Sequence, residues 1–239
     1  MISELEKRVQ RYWTQRSHDF GTVRRNELED EMGRKWFQEL EKHLPENGKL
    51  KVLDVGTGTG FFAVLLAQAG YRVEGVDLTP AMLEEARALA AQRGMDITFR
   101  EMDAQALDYE DGCFDAVISR NLTWTLPDPE RAYGQWFRVL KPGGVLLNFD
   151  ADYAANVRSR STQNRRVPAD SPYGHVGMTD RLQRENDEIT LTMDVGRARE
   201  VLEGIGFADC RVDTRVGRRI LGLLDLEHAP MFGIAARKP

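Results

Sequence analysis

The stretch VLDVGTGTGFFA, residues 52–63, decides how the rest of the chain is read. KVLDV (51–55) is a short apolar run of the kind that forms a buried strand, and GTGTG (56–60) is a turn. FFAVLLAQA (61–69) is apolar nearly all round, as a helix packed inside a layered domain must be. Glycines let the backbone come close to a ligand, and the helix N-terminus adds free N–H groups with partial positive charge. Strand, acid, Gly-x-Gly-x-Gly and helix together suit an adenosine-bearing ligand with an anionic tail.

Working outward, the pattern repeats. YRVEGVD (71–77) reads as a second strand, and Thr79 and Pro80 open a helix closed by Gly94. DITFRE (96–101) and FDAVISR (114–120) are a third and fourth strand. PDPERAYGQWFRVL (127–140) is a helix, and GVLLNFD (144–150) is a fifth strand after the turn KPGG. Alternating strands and helices predict a mostly parallel sheet with helices on both faces. Two amphipathic helices, 2–17 and 25–43, precede it. A helix near 194–204 and strands near 208–216 and 230–237 follow, the last two forming a reversed terminal hairpin. The expectation is a single α/β domain with a Rossmann-like, seven-stranded sheet. Its parts are a helical cap (1–45), a binding core (46–150), a lid after the fifth strand (151–190) and the end of the sheet (191–239).

Composition narrows the partners. The 239 residues are 41% hydrophobic and 30% charged, which suits a folded domain. The net charge of −5 is concentrated in residues 51–150, with 9 basic against 15 acidic side chains. The basic stripe that a phosphate backbone requires is absent, so a nucleic-acid partner is not expected. No apolar run approaches a bilayer-spanning length and no signal-peptide pattern opens the chain, so neither a membrane partner nor export is expected and the cytoplasm is the default location. Cys113 and Cys210 are too far apart in sequence for a CxxC site, and no metal is expected. Oligomeric state cannot be read from these features.

The glycine turn alone is ambiguous. Gly58, Gly60 and Ala63 also satisfy a dinucleotide pattern, with Asp77 about 20 residues on where a ribose-binding acid belongs. Three features favour a different ligand. Asp54, just before the glycines, would repel a pyrophosphate but pair with an ammonium group. A further acid, Asp103, follows the third strand, where it can accept from an adenine amine. The fifth strand enters through LKPGG, and the last two strands follow a helix.

Residues 52–150 thereby resemble a class I S-adenosylmethionine-dependent methyltransferase. VLDVGTGTGFFA, EGVDLTPAML, MDAQAL, FDAVISRNLTWTL and RVLKPGG carry the resemblance, which extends weakly over YWTQRSHDF in the N-terminal region. It implies that Gly56, Thr57 and Gly58 line the methionine and ribose part of the cofactor and that Asp54 meets the methionine amino group. It also implies that Asp77 accepts both ribose hydroxyls, Leu78 and Met82 wall the adenine, and Asp103 takes the exocyclic amine beside Ala104. Arg120 would lie at the methionine end. Plainer roles stay open: helix or turn capping for the three acids, core packing for Met82, and a surface charge for Arg120.

The resemblance implies methyl transfer from S-adenosylmethionine, releasing S-adenosylhomocysteine. SRNLTW after the fourth strand departs from the N-P-P-Y type that holds a flat amide or nucleobase amine, which with the charge balance points to a small-molecule acceptor. Catalytic candidates are His18, as a base near the cofactor methyl, His175 in the expected lid, and Tyr153 after the fifth strand; the two histidines read more readily as surface or capping residues. Tyr12, Trp13, Phe20 and Trp124 are read either as an acceptor wall or as core, and Asp150 and Asp152 follow the fifth strand, where acceptors are often oriented. Arginines 158, 160, 165 and 166 would clamp an acidic acceptor or simply face solvent. The competing functions are a protein or RNA methyltransferase, a nicotinamide-dependent dehydrogenase, and a cofactor-binding regulator without chemistry.

Overall fold

A computed structural model describes residues 3–44, 49–151, 153, 195–222 and 230–239. His175, Asp152 and, apart from Ala151 and Tyr153, the lid expected over 151–190 lie outside the described residues.

Seven strands form one sheet in the order β3-β2-β1-β4-β5-β7-β6. They are β1 (Lys51–Val55), β2 (Arg72–Asp77), β3 (Thr98–Glu101), β4 (Phe114–Arg120), β5 (Leu140–Ala151), β6 (Ala208–Asp213) and β7 (Met231–Arg237). β1 to β5 pair parallel in this sheet, and β7 runs antiparallel to both β5 and β6. Successive side chains on a strand face opposite ways. Ala116 and Ile118 therefore join one core with Trp36, Phe62, Leu66 and Phe149, while Val117 joins the other with Tyr133, Trp136, Leu146 and Leu202.

The helices are α1 (Glu4–Glu29), α2 (Glu31–Glu41), α3 (Phe61–Gln68), α4 (Pro80–Gln92), α5 (Pro129–Val139), α6 (Val195–Ile205) and α7 (Val216–Leu221). α3 is short but apolar all round, and Phe61 to Leu66 are all buried. Three boundaries differ from the sequence reading. The first helix does not stop at residue 17 but runs through Gly21, where a Cβ would lie 2.8 Å from Glu85 Oε2 of α4. One helical glycine costs only about 1 kcal/mol, which packing against α4 offsets. The break falls at Asp30 instead, whose carboxylate accepts from Met32 N at 2.7 Å and caps α2. The strand expected to reach 216 ends at Asp213, and VGRRIL turns into α7. β5 begins at Leu140 rather than 144, with a register shift opposite Phe114–Ala116 as it passes Pro142.

Candidate active site

Parallel strands deliver their carboxyl ends to one edge of the sheet, where an open α/β sheet binds its ligands. There β1 ends in the glycine turn, with Gly56, Gly58 and Gly60 all at positive φ (67°, 54° and 84°). Asp54, only 2% exposed, accepts from Thr57 Oγ1 at 2.6 Å and from Ala63 N at 3.1 Å. Its hydrogen bonds thus brace both sides of the turn. Burial pushes its pKa up to about 7, against the pull of those two bonds; the charge of Asp77 adds to the rise and that of Arg120 opposes it.

Half-buried Asp77, at the end of β2, accepts from Gly58 N through Oδ2 and from Thr79 N through Oδ1, each at 2.9 Å. Burial raises its pKa too. Gly75 permits this arrangement, because a Cβ there would meet the Phe99 ring at 2.7 Å and Thr57 Oγ1 at 2.9 Å. Asp103, after β3, accepts from Gln105 N at 2.8 Å, with Ala104 buried beside it. Met82 is buried on α4, and Leu78 is half-buried before it.

α1 lies over this edge and is tied down by polar bonds. Gln10 Nε2 donates to Leu78 O at 2.8 Å, and Gln105 Nε2 donates to Glu6 Oε1 at 2.7 Å. Gln105 Oε1 accepts from Asp128 N at 2.8 Å, so one side chain joins α1, the loop after β3 and the start of α5. Near the other end of α1, Arg24 pairs with Glu27, and Glu27 lies 3.7 Å from Arg120. The Arg120 guanidinium sits over the rings of Trp36, Phe61 and Phe62, at 4.4, 5.0 and 5.6 Å from their centroids.

The four aromatic candidates come together. Trp13 meets Tyr12, Phe20 and Trp124 edge-on at 5.1, 5.3 and 6.3 Å between ring centroids, and Tyr153 joins Trp124 at 5.0 Å. Other expectations are corrected. His18 is on the outer surface: its side chain is 81% exposed, and Nδ1 lies 3.2 Å from Oε1 of Glu85, whose Oε2 accepts from Arg25. Its place on the helix gives it a partner on α4. Arg120 is a buried side chain between α1, α2 and α3, not a surface charge. Asp150 is 1% exposed, and its carboxylate accepts from Thr123 N, Thr123 Oγ1 and Ala151 N, so it grips a loop instead of facing an acceptor.

Sequence reasoning missed Gln10, Gln105, which lies within MDAQAL but was given no role there, and Asn121, the residue directly after β4. Asn121 has φ 56°, a left-handed conformation uncommon outside glycine and often found at functional sites. Its carboxamide Oδ1 accepts from Tyr153 O–H at 3.1 Å. Position was the available signal, since a residue at a strand's carboxyl end in this topology borders the cleft. Among the described residues no group of three or more His, Cys, Asp or Glu side chains is placed to hold a metal, and no helix is long and apolar enough to cross a membrane.

Sheet order, glycine turn and strand-end acids define a Rossmann-like α/β domain. Residues 53–148 match the Methyltransferase domain family, and this segment carries the likeness to class I S-adenosylmethionine-dependent methyltransferases. It is similar to the demethylmenaquinone methyltransferase of Thermus thermophilus, with 42% identity over 104 residues, 43% of this chain and 47% of that one. The chain thus matches less than half the length of that relative. Its fold is shared with an S-adenosylmethionine-dependent methyltransferase from Mesorhizobium loti (TM-score 0.63, 24% identity, 85% of this chain and 98% of that one). It is shared also with the Haemonchus contortus phosphoethanolamine N-methyltransferase 2, solved with phosphomonomethylethanolamine and S-adenosylhomocysteine (TM-score 0.64, 20% identity, 86% and 53%).

Proposed function

We propose that the protein binds S-adenosylmethionine above the carboxyl ends of β1 and β2 and transfers its methyl group to a small molecule. The observation that carries this reading is that Asp54 and Asp77 brace the glycine turn at the carboxyl ends of β1 and β2, while Asp103 caps the loop after β3 beside them. In it, Asp54 meets the cofactor ammonium and Asp77 the two ribose hydroxyls, one carboxylate being able to serve two donors. Leu78 and Met82 flank the adenine, Asp103 accepts from its exocyclic amine, and Ala104 borders its edge. Gly56, Thr57 and Gly58 leave room for the methionine and ribose. Arg120 lies at the methionine end, its charge favouring the ionised form of Asp54.

The reacting methyl belongs to the cofactor, so the chain's task is to align an acceptor with it and keep water out. Residues 1–45 serve as the cap over the cleft. Tyr12, Trp13, Phe20 and Trp124, joined by Tyr153, form an aromatic wall suited to a flat, largely apolar acceptor. The likeness to demethylmenaquinone methyltransferase points the same way. The test has two stages. Calorimetric titration with S-adenosylhomocysteine and with NAD decides the cofactor. Transfer of a labelled methyl group is then followed on a panel of hydroxylated naphthoquinols, simple phenols and amines, with RNA and protein as controls. Binding to NAD but not to the homocysteine nucleoside, or transfer confined to RNA or protein, would refute the proposal.

A further inference from the structure

We propose that Asp150 is a positioning residue for the cofactor cradle: it holds the loop after β4 so that Leu122 stays seated on Gly56. The inference rests on reading the glycine turn as that cradle.

The loop is a small unit bonded to itself. Thr125 donates to Leu122 O through N at 3.0 Å and through Oγ1 at 2.9 Å. Trp124 Nε1 donates to Asn121 O at 2.8 Å, which fixes the indole over the chain reversal at left-handed Asn121. β5 holds this unit at two points. One is a backbone bond, Asn121 N to Phe149 O at 2.8 Å. The other is Asp150, whose Oδ2 accepts both Thr123 N at 2.7 Å and Thr123 Oγ1 at 2.5 Å. Both residues are almost wholly buried, at 1% and 0% exposure.

Leu122, between the two tethered residues, makes the contact with the cradle. A Cβ built on Gly56 would lie 2.8 to 3.0 Å from its Cγ and both Cδ atoms. The glycine turn therefore has its shape at Gly56 set by a side chain from the next loop. A buried carboxylate costs more than a neutral group of the same size, and burial pushes Asp150 up to about 6. The hold on two donors of Thr123 offsets that cost. A charged acceptor shared by N–H and O–H is a stiffer tether than a neutral one.

A double-mutant cycle on affinity for S-adenosylhomocysteine, measured by calorimetry, tests this. Asp150→Ala and Leu122→Ala should each weaken binding by about fivefold or more. If Asp150 acts through Leu122, the double variant should be no worse than the poorer single variant by more than about twofold. Asp150→Asn keeps an acceptor oxygen for Thr123 and should restore affinity to within about twofold of wild type, a rescue that general damage to the fold would not give. Wild-type affinity in Asp150→Ala, or losses that multiply in the double variant, would overturn the proposal. Should Asp150→Ala show no cooperative melting, Thr123→Val takes its place in the cycle under the same criteria. Wild-type protein that binds no S-adenosylhomocysteine would overturn the cradle itself, and the tether with it.

Discussion

The proposed contact between Asp54 and the cofactor ammonium should make affinity depend on pH near neutrality. In the free protein burial pushes this carboxyl up to about 7. A cofactor ammonium beside it favours the ionised form and pulls that value down. At pH 7.5 about three-quarters of the free protein has Asp54 ionised, and at pH 5.5 only about 3%. Binding at the lower pH must first expel the proton, which costs nearly 2 kcal/mol relative to pH 7.5 and weakens affinity about 25-fold. Titration with S-adenosylhomocysteine at pH 5.5, 6.5 and 7.5, in paired buffers of different ionisation enthalpy, measures both quantities. Affinity should rise with pH, and about half a proton should be released per binding event near pH 7. The variant Asp54→Asn should bind weakly with little pH dependence. An affinity that is flat across this window in the wild type, or the same slope in Asp54→Asn, would show that the ammonium does not sit against Asp54.

Further outcomes follow from other contacts. Asp77→Ala removes the acceptor of Gly58 N as well as the proposed ribose ligand, and should cost at least about tenfold in S-adenosylhomocysteine affinity, roughly 1.4 kcal/mol, by calorimetry. Gly56→Ala sets a Cβ 2.8 Å from Leu122 at φ 67°, and should lower the melting temperature by an amount equivalent to about 1–3 kcal/mol. Trp36→Ala empties a fully buried site against Phe62 and Phe149 and should cost about 3–5 kcal/mol in denaturant unfolding.

The parallel sheet was legible because strands covered on both faces read as apolar runs, and its glycine and proline punctuation fell where the turns are. The three strand-end acids were legible for the same reason, each lying just beside the carboxyl end of a readable strand. α1 was not. Its buried face holds Glu6, Arg16, Ser17, Arg24 and Glu27 beside Tyr12, so a search for apolar periodicity undercounts what it covers, and Gly21 looks like a stop. A helix lying over a polar cleft buries charges that have partners there. Asn121 and Asp150 were misjudged on similar grounds. Their roles depend on a loop closing against another strand, at Phe149 and Thr123, and no local pattern encodes that meeting. His18 shows the converse: a residue type suited to proton transfer, in a suggestive stretch, that the helix sets against Glu85.

The carboxyl proposed to meet the cofactor ammonium should also weaken the empty protein. In the unfolded chain Asp54 ionises at its ordinary value of 3.8, whereas in the fold it holds its proton up to about 7. The unfolded state therefore binds fewer protons at this group between those values, and the contribution of Asp54 to stability falls as pH rises from about 4 to 7. The gap corresponds to at most about 4 kcal/mol above pH 7 and vanishes below pH 4. Asp54→Asn lacks this penalty and keeps an oxygen that can accept from Thr57 or Ala63. Without ligand, its melting temperature should exceed that of the wild type at pH 8, and the advantage should shrink steadily on acidification to pH 5. With saturating S-adenosylhomocysteine the order at pH 8 should narrow or reverse, because the wild type gains more from a ligand it binds more tightly. A variant less stable than wild type at pH 8 without ligand would mean that the charge of Asp54 is already compensated in the empty cleft, and the pH-dependent affinity argued above would lose its cause.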